Sequence, residues 1–434
     1  MTRSATQPPR FLPALSARQD SILALLFLAL WSAATIVLQW DIWPEDLSAL
    51  YIAGALWQQG QPDLIYATPF GFYGGTAAEW IPIQQQLGIY DLGSFPYVYP
   101  PLWAVLTAPL TAAMSPQGFA NAVTCVQVPM LAASAFLAMR ILPLPGAQLW
   151  LKSAIGVALL STMIPAYTAL WFNNPSITVN FLTLLAFERL GARRPVAAGA
   201  ALALAASIKL SPAAFVLVFL IDRQWRALAS FAAIGGGLGL LSLALAGWPL
   251  HGDFLASLRA VADTALLSAG NVSLRAALPA LASGLSLAAP IPTDEANHII
   301  QTIPGWFAPL PGLAGAALMI AFGLALRDLQ GPLRRGFGLL ALSIIVPLFG
   351  PLGWLHYYVL PMLLLPGIIA VVPLRRSLIL FAALGLPSLT VVFAEIGRLP
   401  WPSADYVWLM SVLWLAVLAV LLTALRRLPA AHPE

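Results

Sequence analysis

The 434-residue sequence is 60% hydrophobic and only 9% charged, whereas a soluble domain carries about 25% charged residues. Such a chain cannot cover a water-facing surface with polar groups, so the composition excludes an ordinary soluble protein and predicts a polytopic membrane protein. The net charge of +4 is spread over short arginine clusters between apolar stretches, which indicates membrane topology and argues against nucleic-acid binding. The single Cys125 excludes an intramolecular disulfide framework.

The first apolar stretch covers residues 21–40, close to the ~20 residues that a membrane-spanning helix needs. Arg3, Arg10 and Arg18 precede this stretch, and no small-residue cleavage site precedes Asp41. The pattern predicts a retained signal anchor, with residues 1–20 as a cytoplasmic tail.

Seven basic clusters then alternate with apolar stretches, and the positive-inside rule places all seven in the cytoplasm. They are the N-terminal arginines, Arg140 with Lys152, residues 189–194, Arg223 with Arg226, residues 327–335, Arg375 with Arg376, and Arg426 with Arg427. We therefore predict one membrane domain over residues 21–426, followed by a cytoplasmic tail at 427–434.

Thirteen apolar segments qualify as candidate spans by hydropathy. They are residues 21–40, 101–114, 119–142, 153–171, 175–190, 196–209, 212–221, 227–247, 306–326, 336–352, 355–372, 377–394 and 406–425. An odd number of crossings would place the last arginines outside, so we expect one segment within 101–142 to dip in and out, and about twelve crossings in all. The segments 196–209 and 212–221 are too short to span, and we interpret them as a pair of helices broken around Ser211-Pro212.

Two connections, residues 41–99 and 248–305, are too long to be simple linkers and face the non-cytoplasmic side in this topology. Apolar residues recur at helical spacing from Asp46 to Gln59, with Asp46 as a possible helix cap. This spacing predicts an amphipathic helix lying in the membrane interface.

Asp41, Glu45 and Asp46 form the densest acidic cluster and directly follow the first span. Carboxylates at this position can cap the start of a helix. Alternatively, one of them can act as a general base or bind a sugar hydroxyl at the membrane surface.

Two further segments lie on the non-cytoplasmic side, each where a loop leads into a predicted span. The first includes Tyr99 within an aromatic and proline-rich stretch, and the second contains Asn173 and Asn174. The aromatic stretch suits an interfacial belt, while the amides can bind sugar hydroxyls or cap the following helix.

Lys209 lies inside an apolar run, where insertion costs about 2.5–3.5 kcal/mol. It therefore needs an anionic partner or a wet cavity, unless it snorkels to the surface. We consider a lipid phosphate as its partner.

The second long loop contains Asn271 and Arg275 in a Gly-Asn-Val-Ser-Leu-Arg segment, and an arginine on the non-cytoplasmic side is compatible with anion binding. Asn271 also begins an N-x-S pattern, although glycosylation is a weak inference for a chain that looks bacterial. His356 follows Trp354 at an outer helix mouth, where it is either structural or available to contact a phosphate or relay a proton.

Taken in order, these segments resemble glycosyltransferase family 87, the polyprenyl-phosphate-mannose-dependent mannosyltransferases of the GT-C class, over about residues 20–425. The matching segments are 46–54 with Gly60 and Tyr66, 99–102, 199–212 with 223–226, 270–275, and 354–357. The chain departs from the family pattern at Tyr357, where a second histidine is usual, and at 173–176, where Gly-Gln-x-Asn is usual.

The resemblance implies an all-α, GT-C-type bundle with interfacial helices in the two outer loops. It implies transfer of a hexose, by default mannose, from a polyprenyl-phosphate sugar to a lipid or glycan acceptor, with inversion. In that scheme Asp46 is the general base, although Glu45 or Asp41 could replace it. The donor phosphate would contact Lys209, Arg275 and His356. Acceptor or sugar contacts would come from Glu45, Tyr51, Tyr99, Asn174, Asn271 and Trp354.

The same resemblance places the protein in a bacterial inner membrane, with the active site facing the periplasm and membrane lipids as its surroundings. We expect no metal and no other cofactor. The main alternative is a transporter or a flippase for lipids or lipid-linked sugars, because such proteins also hold charges at broken helices. A non-catalytic scaffold for envelope assembly is a second alternative.

Overall fold

The structure, a computed structural model, describes residues 15–67, 77–284, 299–302, 306–396 and 403–428. Most of the two predicted tails and the remaining stretches of the two long loops lie outside these residues. The expected domain limits therefore stay predictions.

The described residues are mainly helical, and several helices begin with proline, whose missing N–H group has no helical partner at that position. In chain order the helices are α1 (Ala17–Gln39), α2 (Glu45–Gln58), α3 (Ile81–Gln86), α4 (Pro101–Ala113), α5 (Pro116–Ile141), α6 (Leu149–Thr162), α7 (Ile164–Trp171), α8 (Ser176–Gly191), α9 (Pro195–Ile208), α10 (Val216–Ile221), α11 (Trp225–Ala262), α12 (Leu274–Gly284), α13 (Leu310–Leu326), α14 (Gly331–Phe349), α15 (Val359–Leu364), α16 (Leu374–Ser388), α17 (Thr390–Ile396) and α18 (Ser403–Arg426). Short 3-10 helices cover Pro62–Leu64, Ala78–Trp80, Ser211–Phe215, Leu355–Tyr358 and Leu365–Ala370.

The second long loop adds a small sheet to this bundle. Strand β1 (Thr264–Leu267) pairs antiparallel with β2 (Ile299–Thr302), so that Thr264 lies opposite Thr302. The all-α prediction is confirmed for the bundle, and this two-stranded ribbon is an addition that the sequence reasoning did not anticipate.

Five of the described helices, α1, α5, α11, α14 and α18, are long and apolar enough to cross a membrane. The remaining apolar helices are shorter or broken. The predicted span 153–171 is interrupted at Met163 and the predicted span 377–394 at Leu389. These two breaks pair with each other in an antiparallel bridge, which satisfies backbone groups that lipid cannot. The expectation of about twelve crossings stays a prediction.

Buried carboxylates gather at one end of the bundle, which we call the arginine-rich end. Glu188, near the end of α8, pairs with Arg140 at 3.3 Å and with Arg189 at 2.5 Å. Asp222, after α10, pairs with Arg334 at 3.1 Å and with Arg335 at 3.7 Å. Three of the predicted basic clusters contribute arginines to these pairs, as expected if they lie on one side of a membrane.

Helix α4 remains at the opposite end, because both of its ends contact α2. Tyr99, just before α4, donates a hydrogen bond to Asp46 in α2. Tyr51 of α2 donates to the carbonyls of Thr111 and Met114 at the other end of α4. The expectation that one segment within 101–142 dips in and out of the membrane stays a prediction.

Helix α2 lies where the sequence predicts a helix, but it is not amphipathic. Nine of its 14 residues are buried. A Cβ atom on Gly54 would lie 3.0–3.1 Å from Thr107 and Ala108, so the two helices approach closely there. Its N-cap is Pro44 rather than Asp46, which lies in the first turn. The expected amphipathic character is wrong, since α4 and the described part of the loop cover its second face. Its position in the membrane interface stays a prediction.

Helix α11 bends at Gly247, whose φ of 74° lies in the left-handed region that glycine adopts readily. The side chain of His251 spans the bend, with one ring nitrogen 2.7 Å from the carbonyl oxygen of Gly247 and the other 2.9 Å from the hydroxyl of Ser242. The bend turns the outer part of α11, residues 248–262, across the end of the bundle and towards the site described next.

Candidate active site

The site is centred on Asp46, in the first turn of α2. The backbone N–H of Leu47 donates to the carbonyl of Phe172, and that of Phe95 donates to the carbonyl of Glu45. These two bonds attach the start of α2 to the loops before α8 and α4. A carboxylate in the first turn of a helix also interacts favourably with the unpaired N–H groups there.

Asn174 is the residue that contacts Asp46 from α8. The preceding Asn173 has a φ of 42°, which asparagine tolerates better than most residues, and its side chain donates to Thr124 of α5. This turn directs the amide of Asn174 at Asp46, whose Oδ2 accepts a hydrogen bond from Nδ2. The amide oxygen in turn accepts from the backbone N–H of Ser176 at 2.7 Å, which determines how the amide is oriented.

Lys209 reaches the same amide from the break between α9 and the next helical turn. Its Nζ donates to Oδ1 of Asn174 at 2.9 Å and to Oγ of Ser176 at 2.7 Å. It also lies 4.7 Å from the ring centroid of Tyr357 and 5.5 Å from that of Tyr99. The break occurs where Pro212 disfavours a continuous helix, and the extended backbone of Lys209 directs the side chain inward.

Tyr99 completes the cluster by donating from its hydroxyl to Oδ1 of Asp46 at 3.2 Å. Its backbone is held by Tyr66, whose hydroxyl donates to the carbonyl of Tyr99 at 2.5 Å. Tyr97 similarly donates to the carbonyl of Pro100 at 3.0 Å. These two phenols secure a segment whose prolines offer no N–H groups of their own.

A cavity of about 390 Å³, which we call the site cavity, opens beside this cluster. Its polar end is formed by Lys209, Tyr99, Ser176 and Tyr357. The rest of the wall is largely apolar and comes from α8, α14, the break after α9 and the outer part of α11, with Val179, Val346, Pro212, Phe215, Phe254 and Leu258 among its residues. An apolar cavity with a cation at one end fits an amphipathic ligand that carries a negative head group.

Burial is the main influence on the carboxylates of the site. It raises the pKa of Asp46 above its usual value, while the charge of Lys209 and the hydrogen bonds from Asn174 and Tyr99 oppose the rise. Burial and the neighbouring Asp46 also raise the pKa of Glu45. Asp46 therefore becomes a stronger proton acceptor than an exposed aspartate when it is ionised.

His356 lies next to the cluster, with its ring 4.7 Å from the ring of Tyr357 in an edge-on arrangement. Its side chain is buried, and Nε2 has no hydrogen-bond partner among the described residues. Trp354, two residues earlier, packs on Gly270 instead, with ring atoms 3.5 Å from where a Cβ would lie. The structure thus brings His356 to Tyr357 of the site, whereas the ring of Trp354 packs against the second long loop at Gly270.

Arg275 and Asn271 both form hydrogen bonds with backbone groups of the protein. The guanidinium of Arg275 is 7% exposed and donates to the carbonyls of Ala262 and Ala308. The side chain of Asn271 is fully buried, donates to Leu266 at 2.8 Å and accepts from the N–H of Gly353 at 2.7 Å. Neither residue lines the site cavity, and their expected roles as donor and sugar contacts stay predictions.

Tyr51 and Asp41 are also occupied elsewhere. The hydroxyl of Tyr51 is bound to the end of α4, as described above, and its ring packs on Phe119. Oδ1 of Asp41 accepts from the side chain of Asn121 on α5 at 2.8 Å. Asp46 instead accepts from Tyr99, which lines the cavity, and is joined to Lys209 through the amide of Asn174.

Several residues of the site were missed by the sequence reasoning. Ser176 and Tyr357 contact Lys209, and Asn180 and Thr183 line the cavity one and two turns farther along α8. The spacing of Ser176, Asn180 and Thr183 places them on one helical face. That polar stripe within an apolar span was the signal available for finding them.

The expectation that the protein binds no metal stays a prediction. Within the described part of the chain, no group of three or more His, Cys, Asp or Glu side chains is arranged to hold a metal ion.

Comparisons with known proteins agree with the resemblance described above. The family model for glycosyltransferase family 87 matches residues 97–351. A protein from Mycobacterium tuberculosis, named polyprenol-phosphate-mannose-dependent alpha-(1-2)-phosphatidylinositol mannoside mannosyltransferase, is 27% identical over 437 residues, which cover 92% of this chain and 91% of that protein. A protein of the same name from Mycolicibacterium smegmatis is 26% identical over 375 residues, or 82% of this chain and 76% of that protein.

No solved structure matches the chain. The family model nevertheless covers more than half of it, and the apolar helices identify a membrane protein. The alternatives of a flippase or a scaffold are therefore set aside, and the chain belongs to glycosyltransferase family 87.

Proposed function

We propose that the protein transfers mannose from a polyprenyl-phosphate mannose donor to a lipid or glycan acceptor, with inversion at the anomeric carbon. Asp46 acts as the general base and Lys209 binds the donor phosphate. The names of the two mycobacterial relatives support mannose and the polyprenyl-phosphate donor. Their names also include a phosphatidylinositol mannoside, which supports a glycolipid as the acceptor class.

One observation supports this function most strongly, namely that a base and a cation lie on either side of one amide at the end of an apolar cavity. Asn174 donates to Asp46 and accepts from Lys209, so the two charged groups are held close without contacting each other directly. Among the described residues neither forms an ion pair within 4.0 Å. The carboxylate is thus available to an acceptor hydroxyl, and the ammonium to a phosphate.

In the proposed reaction, an acceptor oxygen attacks the anomeric carbon while Asp46 takes the proton of that hydroxyl. The bond between the anomeric carbon and the phosphate oxygen breaks, and the electron pair leaves with polyprenyl phosphate. Lys209 stabilises the negative charge that develops on this phosphate, which is a large contribution in a site that excludes water. Nε2 of His356 is buried without a hydrogen-bond partner among the described residues, which supports a contact with a sugar or phosphate oxygen once the donor is bound.

The apolar wall of the site cavity suits the polyprenyl chain, and the polar end suits its phosphate. The site lies at the end of the bundle opposite the arginine-rich end. If arginines mark the cytoplasmic side, as the positive-inside rule expects, the reaction takes place on the periplasmic side of the bacterial inner membrane. A donor already on that side needs no nucleotide sugar.

The test is sugar transfer by the purified protein in lipid, with radiolabelled polyprenyl-phosphate mannose and a membrane lipid extract as the source of acceptors. We expect transfer by the wild type and a loss of about 10²- to 10⁴-fold in Asp46→Asn, the range that a general base contributes. Asp41→Asn serves as the matched control and should retain most of the activity, because Asp41 contacts Asn121 and lies away from the cavity.

Equal transfer by wild type and Asp46→Asn would remove Asp46 as the base and direct attention to Glu45. Absence of transfer by the wild type with this donor, but activity with another lipid-linked hexose, would contradict mannose and leave the reaction type standing.

A further inference from the structure

Asn180 has no assigned role and lies on the wall of the site cavity, in the second turn of α8. Its side chain is 7% exposed, and it forms no hydrogen bond with any described residue. Its neighbours on the same helix face are all engaged: Ser176 accepts from Lys209, and Thr183 donates to the carbonyl of Val179 at 2.8 Å.

The amide of Asn180 has no partner in the described part of the protein and borders the cavity, so the molecule that occupies the cavity must provide its hydrogen bonds. Structural asparagines in this protein show the contrast, since Asn271 and Asn173 are buried and each has its amide bonded to neighbouring groups. A position that keeps an unpaired amide beside a cavity is therefore expected to bind a ligand with it.

The position of Asn180 indicates what that ligand is. On an α-helix, residue 180 lies one turn, about 6 Å, beyond residue 176 on the same face. Ser176 already contacts the ammonium of Lys209 at 2.7 Å, and its own hydroxyl hydrogen has no acceptor among the described residues. The ammonium, the hydroxyl and the amide thus provide three sets of donors around the polar end of one cavity.

Several donors with one positive charge and no acidic lining residue select an anion with several acceptor oxygens. The rest of the lining is largely apolar, with Val179, Phe215 and Leu360 among its residues. The ligand must therefore be an anionic head attached to a hydrocarbon chain.

We propose that Asn180, together with Ser176 and Lys209, forms the cradle for the phosphate of a polyprenyl phosphate, with the isoprenoid chain running along the apolar wall. This inference rests on the proposed function and adds two residues to its donor site. Asn180 donates through its amide NH₂ to a phosphate oxygen, and Ser176 donates through its hydroxyl.

The experiment measures binding of a long-chain polyprenyl monophosphate to the full-length protein in nanodiscs, together with thermal unfolding without ligand. Asn180→Leu removes the amide while keeping a similar volume. We expect the Kd for polyprenyl monophosphate to rise about 10- to 100-fold, as for loss of a hydrogen bond to a charged group. Thermal unfolding without ligand should occur at the same or a higher temperature, because an unpaired amide is removed from an apolar site.

Two controls separate this role from others. Thr178→Val lies on α8 outside the cavity lining, where its hydroxyl donates to Sδ of Met130 at 3.7 Å, so we expect its Kd to change by no more than about twofold. The uncharged polyprenol offers the same chain without phosphate, and the wild type and Asn180→Leu should bind it equally. Phosphatidic acid, offered as a competitor, tests whether the phosphate comes from a glycerophospholipid instead.

The outcomes are distinguishable. A wild type that does not bind polyprenyl monophosphate would contradict the proposed function together with this cradle. Wild-type binding and transfer with an unchanged Kd in Asn180→Leu would overturn only the role of Asn180. A lower unfolding temperature in Asn180→Leu would show a structural amide, and a Kd effect on phosphatidic acid alone would exclude the polyprenyl source.

Discussion

The two ends of the bundle hold buried charge in opposite ways. At the arginine-rich end, Glu188 and Asp222 have side chains only 5% and 6% exposed, and each contacts two arginines. At the other end, Asp46 accepts hydrogen bonds from an amide and a phenol, and Lys209 donates to an amide and a hydroxyl.

This difference separates structural charge from functional charge. A carboxylate that two arginines neutralise stabilises the meeting point of several helices and has little capacity left for a substrate. A carboxylate and an ammonium kept apart by an amide cost stability, because each is incompletely neutralised in a low-dielectric region. Proteins retain such an arrangement where the charges serve a ligand or a reaction.

After Asp46, the largest effect on transfer is expected at Lys209, one of the two lysines in the chain. Lys209→Met should lower kcat/KM for the donor by about 10²- to 10³-fold, the range for loss of a group that stabilises developing charge. Its unfolding temperature should not fall. Lys152→Met, at the arginine-rich end, is the matched control and should keep activity near the wild-type level. If Lys209→Met unfolded more easily but transferred sugar normally, Lys209 would be a structural charge, and the contrast between structural and functional charge would fail.

At Asp222 we expect the opposite result, a loss of stability without a loss of activity. Asp222→Asn should reduce the free energy of unfolding by about 2 kcal/mol, because two arginines lose the charge that they share in a buried position. The specific activity of the folded protein should remain unchanged. Asp328→Asn is the control, since Asp328 pairs with Arg327 at an exposed position and should change stability by less than about 0.5 kcal/mol. Thermal unfolding and transfer assays on the same samples would test both expectations.

The pH dependence should respond to Tyr99. Its hydroxyl stabilises the charged form of Asp46, so Tyr99→Phe should raise the pKa of Asp46 further above its usual value. Because the base acts in its ionised form, the acid limb of the profile of kcat/KM against pH should move to higher pH. Tyr97→Phe, which loses a bond to a backbone carbonyl and none to Asp46, should leave the limb in place. A limb that does not move in Tyr99→Phe would mean that another group governs it.

The smallest effect on transfer is expected at Arg275. Arg275→Lys should leave the KM for the donor unchanged and lower the unfolding temperature, because a lysine cannot reproduce two hydrogen bonds to the carbonyls of Ala262 and Ala308. The loss of stability should be about 1 kcal/mol. A large rise in KM with unchanged stability would restore the phosphate contact that the sequence alone suggested.

The sequence was most informative where a charged residue lies within or beside an apolar segment, because burying a charge there costs free energy. Lys209 within an apolar run and Asp46 directly after the first span were identified without a structure, because charge beside lipid demands a reason. Arg275 met the same criterion, yet its guanidinium holds two backbone carbonyls. From the sequence alone, an arginine that binds backbone carbonyls cannot be distinguished from one that binds a ligand. Its partners are main-chain atoms that lie far away along the chain.

Composition and the position of the arginines were enough to predict a helical membrane bundle, since lipid requires backbone groups to be satisfied within helices. The break at Lys209 and the helix over 46–59 also follow from local chemistry, proline in one case and apolar spacing in the other. Only the tertiary structure shows that Asn174 lies between Asp46 and Lys209, that α2 is covered on its second face, and that Asn180 faces a cavity. These features depend on which helices meet, and contacts between distant segments are not encoded in the spacing of any one of them.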